Sequence, residues 1–175
     1  MRGVAGALHG FSVSRSKMLE VKIICVGSIK EAYLRDGIAE YAKRLKGMAS
    51  FSIVELKEER LPEEPSPSLI AAALDREAEK ILEASKGSYR IAMCVEASQR
   101  TSEELAALIE RVSLSHSSVS FIIGSSHGLS KKVKDAANDK LSVSKLTYPH
   151  QLMRLMLSES IYRSFSIIKG SKYHK

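Results

Sequence analysis

Cysteine is scarce and tryptophan absent: the chain of 175 residues carries two cysteines and no tryptophan. Cys25 and Cys94 each sit inside an apolar run, 21–26 and 91–95. No disulfide framework is possible, and both read as buried thiols of a reducing compartment. Glycine and proline are too few for a collagen-like or low-complexity chain, and three of the four prolines crowd into one stretch, 57–68. No apolar run approaches the ~20 residues of a membrane-spanning helix, which predicts a soluble protein. There is no G-x-G-x-x-G, no G-x-x-x-x-G-K-[ST] and no G-x-S-x-G after a strand. The common dinucleotide and triphosphate cradles and a serine-hydrolase elbow are thus without support. No cysteine or histidine pair has metal-ligand spacing, so His127 reads as a solvated loop histidine and no metal is expected.

What is present is an ordinary globular composition, 44% hydrophobic and 27% charged, with a net charge of +7. That length and composition suit one domain with a sizeable core. Acids are missing from residues 1–17, which hold Arg2, Arg15 and Lys17 among glycine, alanine and serine. The segment reads as an extension preceding a natural start at Met18, or as a targeting leader that would make the location organellar. The domain is therefore expected over 18–175. Residues 130–175 carry ten basic side chains against three acidic ones. A basic carboxyl-terminal quarter on a mildly acidic body is the footprint expected for a polyanionic partner, or else a lysine-solvated face.

Hydrophobic periodicity gives strands at 21–26, 51–56, 89–95, 119–123 and 141–144. Between them lie amphipathic helices at 31–46, 69–84, 102–112 and 129–138, and a final helix covers 149–168. Thr101, Ser102, Glu103 and Glu104 announce the third helix as a capping box. Strands alternating with helices predict an α/β fold, a mostly parallel sheet with helices on both faces. Ligands of such sheets settle beyond the carboxyl ends of the strands, which singles out the loops after 95, 123 and 144. The final helix is apolar around its whole circumference, from Leu152 and Met153 to Phe165 and Ile168. A second subunit is the natural cover, which predicts a homodimer; a helix wholly enclosed in one protomer is the alternative.

Two segments stand out chemically. Phe121, Ile122, Ile123 and Gly124 lead through Ser125, Ser126 and His127 to Gly128, Leu129 and Ser130, a strand, a glycine-bearing turn and a helix start. Leu141 to His150 offers many backbone donors and acceptors, of the kind that reads a base edge without acids. With Lys22 to Gly27, with Glu159, Tyr162 and Arg163, and with the terminal Tyr173, His174 and Lys175, these segments resemble the ribosomal RNA large subunit methyltransferase H family. That family is a branch of the SPOUT, or α/β-knot, methyltransferases, and the resemblance covers 21–175.

The resemblance implies a homodimeric enzyme that uses S-adenosyl-L-methionine, leaving S-adenosyl-L-homocysteine. Its substrate would be N3 of a pseudouridine in a 23S rRNA stem-loop of the assembled ribosome, in the cytoplasm. It implies a deep trefoil knot at the carboxyl end, an exception to the rule against knots. Carried over by position, the cofactor pocket would comprise Met93, Gly124, Val143, Ser144, Lys145, Leu146, Thr147 and Tyr148. Ser125 stands where relatives have a second glycine. The sulfonium is an activated methyl donor, so the protein has chiefly to align it, exclude water and manage one imide proton. Arg154 and Arg163 are the candidates for stabilising negative charge, with Tyr173 and His174 closing on the flipped base and His174 as base. A dimer ion pair with Glu159 is the structural alternative for Arg163. The competing functions are a non-catalytic ribosome-binding factor that keeps the fold, and a general RNA-binding module.

Overall fold

The computed structural model describes residues 18–173. The extension at 1–17, His174 and Lys175 lie outside the described residues. Five strands, β1 (Glu20–Val26), β2 (Ser50–Leu56), β3 (Tyr89–Met93), β4 (Ser118–Ile123) and β5 (Asp139–Leu141), form one sheet in the order β2-β1-β4-β3-β5. Every pairing is parallel. The helices are α1 (Ala32–Leu45), α2 (Pro67–Ala84), α3 (Ser102–Ser115), α4 (Lys131–Ala136) and α5 (His150–Ile168).

Side-chain alternation along the strands divides the core. Val21, Ile23 and Cys25 of β1 with Val119, Phe121 and Ile123 of β4 face Leu45 of α1, Leu108 and Ile109 of α3, and Leu157, Ile161 and Phe165 of α5. Val26, Ala92 and Ile122 face the other way, onto Ala78 and Ile81 of α2 and Val133 of α4. The steps from β1 to β2 and from β3 to β4 run one way across the sheet, through helices on the first face. The steps from β2 to β3 and from β4 to β5 run the other way, through helices on the second. A change of direction with each change of face is what a constant right-handed crossover requires.

Most helix ends follow local chemistry. Thr101 and Glu104 close the expected capping box, Thr101 Oγ1 accepting from Glu104 N and Glu104 Oε2 accepting from Thr101 N. Ser66 caps α2 with Pro67 in its first turn, so that helix starts before the expected Leu69. Three boundaries differ from expectation at the sheet's far edge. β3 stops at Met93, and Val95, 53% exposed, belongs to the loop. α4 is shorter than 129–138, because Ser130 caps it by accepting from Val133 N. β5 lies at Asp139–Leu141 rather than 141–144, where Ile91, Ala92 and Met93 offer it partners. Both cysteines are buried and free, as expected.

From β5, at one edge, the chain returns across the carboxyl ends of β3 and β4 through residues 142–149 before α5 packs against α1 and α3. That return builds the site.

Candidate active site

A cavity of about 700 Å³ opens where this return segment meets the loops after β3 and β4. Its size lies within the range of small-molecule sites. Its wall includes Met93, Gly124, Val143, Ser144, Leu146, Thr147 and Tyr148. Seven of the eight residues expected for the cofactor pocket are thus brought together. Lys145 is exposed and contributes no wall.

Backbone contacts hold each loop. Cys94 N donates to Leu141 O (3.0 Å) and Ser142 N to Ser98 O (3.1 Å), tying the return segment to the loop after β3. Ser142 Oγ donates to Ser144 O (2.8 Å), and Ser144 Oγ accepts from Leu146 N (3.0 Å). In the loop after β4, Gly128 N donates to Ser125 O (2.9 Å). A Cβ on Gly124 would lie 2.1 Å from Gly128 O, so only glycine lets this turn fold back over the strand end. Ser125 is buried on the wall of the cavity.

The wall holds no aspartate or glutamate. Apolar Met93, Val95, Ile123, Leu141, Leu146 and Met153 share the wall with the turn 124–128 and with the return segment 142–149 other than Lys145. Such a lining fits a nucleoside-type ligand, whose ring needs an apolar slot and whose edge needs backbone donors and acceptors. No lysine or arginine lines it to compete with a cationic sulfonium. Among the described residues, no cluster of three histidine, cysteine or acidic side chains could hold a metal ion.

Arg154 lies elsewhere than its expected role requires. Its side chain is fully buried, Nη2 donating to Val26 O (2.9 Å) and Nη1 to Glu55 Oε1 (3.0 Å). It fastens the start of α5 to the ends of β1 and β2, and its charge is spent there rather than on a substrate. Arg163 and Tyr173 lie at the other end of α5, about 13 Å along the axis from Arg154. Arg163 pairs with Glu159 (2.7 Å), as the alternative reading had it, here within one protomer. It also lies over the Tyr173 ring, 4.8 Å from its centre. The Tyr173 hydroxyl donates to Glu159 Oε1 (3.2 Å), and burial, with Tyr41 and Glu159 beside it, pushes its phenol up to about 12. Neither Arg163 nor Tyr173 lines the cavity of its own protomer. His174 lies outside the described residues.

The sequence reading missed His150 and Met153 on the wall. His150 opens α5, one turn before Arg154. A Cβ added to Gly27 would meet Glu58 Oε2 at 3.4 Å and both Arg154 Nη2 and His150 Nε2 at 3.9 Å, so three ionisable groups converge on that glycine. Burial, then the Arg154 charge, holds the imidazole below its ordinary pKa, and Glu58 acts the other way. Its signal in the sequence was position: the last residue of the segment expected to read a base, where the final helix begins.

On the basic quarter, Lys131 is paired with Asp135 and Lys134 with Glu96, while Lys132, Lys140 and Lys145 are exposed.

Comparison with known proteins places this geometry. The family model described as "Predicted SPOUT methyltransferase" matches residues 19–174. Ribosomal RNA large subunit methyltransferase H of Streptococcus uberis is 46% identical over 159 residues, 90% of this chain and 100% of that protein. The protein of the same name from Streptococcus thermophilus is 48% identical over the same coverage. Among solved structures, a probable methyltransferase from Bordetella pertussis superposes with a TM-score of 0.54 at 15% identity, over 84% of this chain and 95% of that one. A probable methylase family protein from Haemophilus influenzae gives 0.53 at 14% identity, over 90% and 72%. These two share the fold. With the family model and the curated relatives spanning nearly all the described residues, the chain belongs to the SPOUT methyltransferases, in the ribosomal RNA large subunit methyltransferase H family.

Proposed function

We propose that the protein transfers the methyl group of S-adenosyl-L-methionine to N3 of a pseudouridine in a stem-loop of 23S rRNA in the assembled ribosome, acting in the cytoplasm as a homodimer. One observation carries the reading: the cavity at the strand ends, whose wall is free of carboxylates and built from seven of the eight expected residues. The donor supplies a methyl group already activated by positive charge. The chain's share is to align, to dry the site and to take one proton. Gly124, Ser142, Val143, Ser144, Leu146, Thr147 and Tyr148 would offer amides and carbonyls to the ligand, and Met93, Leu141 and Met153 would exclude water.

Dimerisation is supported by the groove between α1 and α5, about 540 Å³, in which Leu155 and Met156 lie only half-buried beside Tyr41 and Arg44. It is supported too by Arg163 and Tyr173. Both stand away from their own protomer's cavity, and a two-fold mate could bring them to it. There Arg163 would stabilise charge developing on the uracil oxygens. Tyr173 remains a phenol at neutral pH, fit to donate a hydrogen bond, and His174 would complete that tail. The deep knot belongs to the same proposal, and the return of 142–149 across the strand ends before α5 supports it. Residues 18–175 would form one domain, a reading supported by the single family match from 19 to 174. No helix among the described residues is long and apolar enough to cross a membrane.

Ser125 favours a second reading. Its buried side chain stands on the wall in place of a glycine, and a pocket too narrow for the donor would leave a ribosome-binding factor without catalysis. Calorimetric titration with S-adenosyl-L-methionine, together with mass spectrometry of 23S rRNA nucleosides from cells with and without the gene, tests both. Binding plus loss of one methylated pseudouridine from the deletion strain is expected. No binding and unchanged rRNA would favour the factor.

A further inference from the structure

The proposed reaction leaves one proton to be placed, and the cavity wall offers few groups that could take it. Its ionisable side chains are Cys94, His127, Tyr148 and His150. Cys94 is raised by burial and bears its own proton. His127 is exposed on the turn after β4, held by no other side chain that the structure shows. His150 alone combines a basic ring nitrogen, partial burial and a held position: it opens α5, which Arg154 fastens to β1 and β2, and its Nε2 converges with Glu58 and Arg154 on Gly27.

We infer that His150 is the proton acceptor of the methyl transfer, with Glu58 as the carboxylate that stabilises the imidazolium it becomes. The inference rests on the function proposed above and deepens it. As the substrate's ring nitrogen forms its bond to the methyl carbon, the carbon–sulfur bond breaks and its electron pair stays on sulfur. The N–H proton passes to the free nitrogen of the His150 ring and from the imidazolium to solvent. Charge balances, because the positive charge lost by the sulfonium reappears on the imidazole.

The surroundings suit both halves of that cycle. Burial first, and then Arg154 on the same helix, hold the imidazole below its ordinary pKa, while Glu58, from the loop after β2, acts the other way. Glu55 of β2 faces Arg154 and holds it in place. A neutral imidazole flanked by a carboxylate is poised to accept a proton near neutral pH.

Two variants test this, His150→Gln and Glu58→Gln, with two readouts each. In single-turnover assays on ribosomes from cells lacking the gene, at saturating S-adenosyl-L-methionine, His150→Gln is expected to lose about a hundredfold or more in rate. Its calorimetric affinity for the donor should hold. By NMR titration of the imidazole signals, His150 in the wild-type protein should ionise below the ordinary histidine range. Glu58→Gln should lower it further and shift the acid limb of the rate profile the same way. Methylation by His150→Gln at the wild-type rate, or a loss traced wholly to donor affinity, would overturn the assignment. So would a His150 titration indifferent to Glu58→Gln, a readout that stands even if His150→Gln misfolds. A wild-type protein that methylates nothing refutes the proposed function itself, a result distinct from wild type and variant methylating alike.

Discussion

Removing the Arg154 guanidinium tests the largest fully buried side chain among the described residues. Arg154→Ala deletes a hydrogen bond to Val26 O at 2.9 Å and an ion pair with Glu55 at 3.0 Å. The first is buried, and a carbonyl stripped of a charged donor is worth about 1.5–3 kcal/mol. The second counts for less: the Glu55 side chain is 39% exposed, so water takes over its solvation, leaving about 1 kcal/mol or below. Arg154 Nε is buried without a partner, and its removal relieves part of that loss. The net is about 1.5–3.5 kcal/mol of destabilisation. In urea at fixed protein concentration, with a slope of about 2 kcal/mol per molar, the midpoint should fall by about 1–2 M with the slope unchanged. Affinity for S-adenosyl-L-methionine should fall as well, since the start of α5 is no longer pinned beside the cavity. Arg154→Lys should recover only part of the stability, one ammonium being unable to span both acceptors. If Arg154→Ala unfolds within about 1 kcal/mol of the wild type, the fastening role is wrong.

Further predictions concern the cavity, a helix end, the tail and pH. Gly124→Ala, whose Cβ would strike Gly128 O, should abolish donor binding by calorimetry and lower thermal stability; unaltered binding would mean that the turn yields freely. Thr101→Ala should destabilise by about 1 kcal/mol in urea unfolding, through loss of the capping box. Deleting residues 173–175 should abolish methylation while light scattering still reports a dimer; an active truncated dimer would remove the tail from the mechanism. Because the folded-state pKa of His150 is depressed, its contribution to stability is complete above the unfolded value near 6.5 and is lost as pH falls below it. In His150→Gln that part of the acid slope should vanish from the unfolding free energy, and an unchanged slope would contradict the shift.

The strands of the sheet's centre were legible because burial on both faces writes a nearly continuous apolar run, as in 21–26 and 119–123. α3 was legible because Thr101 and Glu104 satisfy each other locally. β5 was not, since a three-residue edge strand beginning Asp139 and Lys140 carries no pattern of its own and takes its place from β3. The cavity's three loops followed from the parallel arrangement, which sends strand ends to one side. The roles of individual arginines did not. On a helical wheel Arg154 and Arg163 fall on opposite sides, each among apolar residues, so the wheel alone does not say which is internal; Val26 and Glu55, distant in sequence, make Arg154 so, and Tyr173 and Glu159 engage Arg163. His150 went unassigned for the same reason, its neighbours Glu58 and Gly27 coming from another part of the chain.

The bond between Val26 and Arg154 joins residues 128 positions apart. At about 5–20 residues per second, the strand in question leaves the ribosome on the order of ten seconds before its guanidinium partner is even synthesised. β4, its neighbour in the sheet, arrives late as well. During that interval Val21, Ile23 and Cys25 have no α5 to cover them, and contacts of such long range close slowly even once the chain is whole. Nascent chains of this protein should therefore depend on chaperone shelter until translation ends.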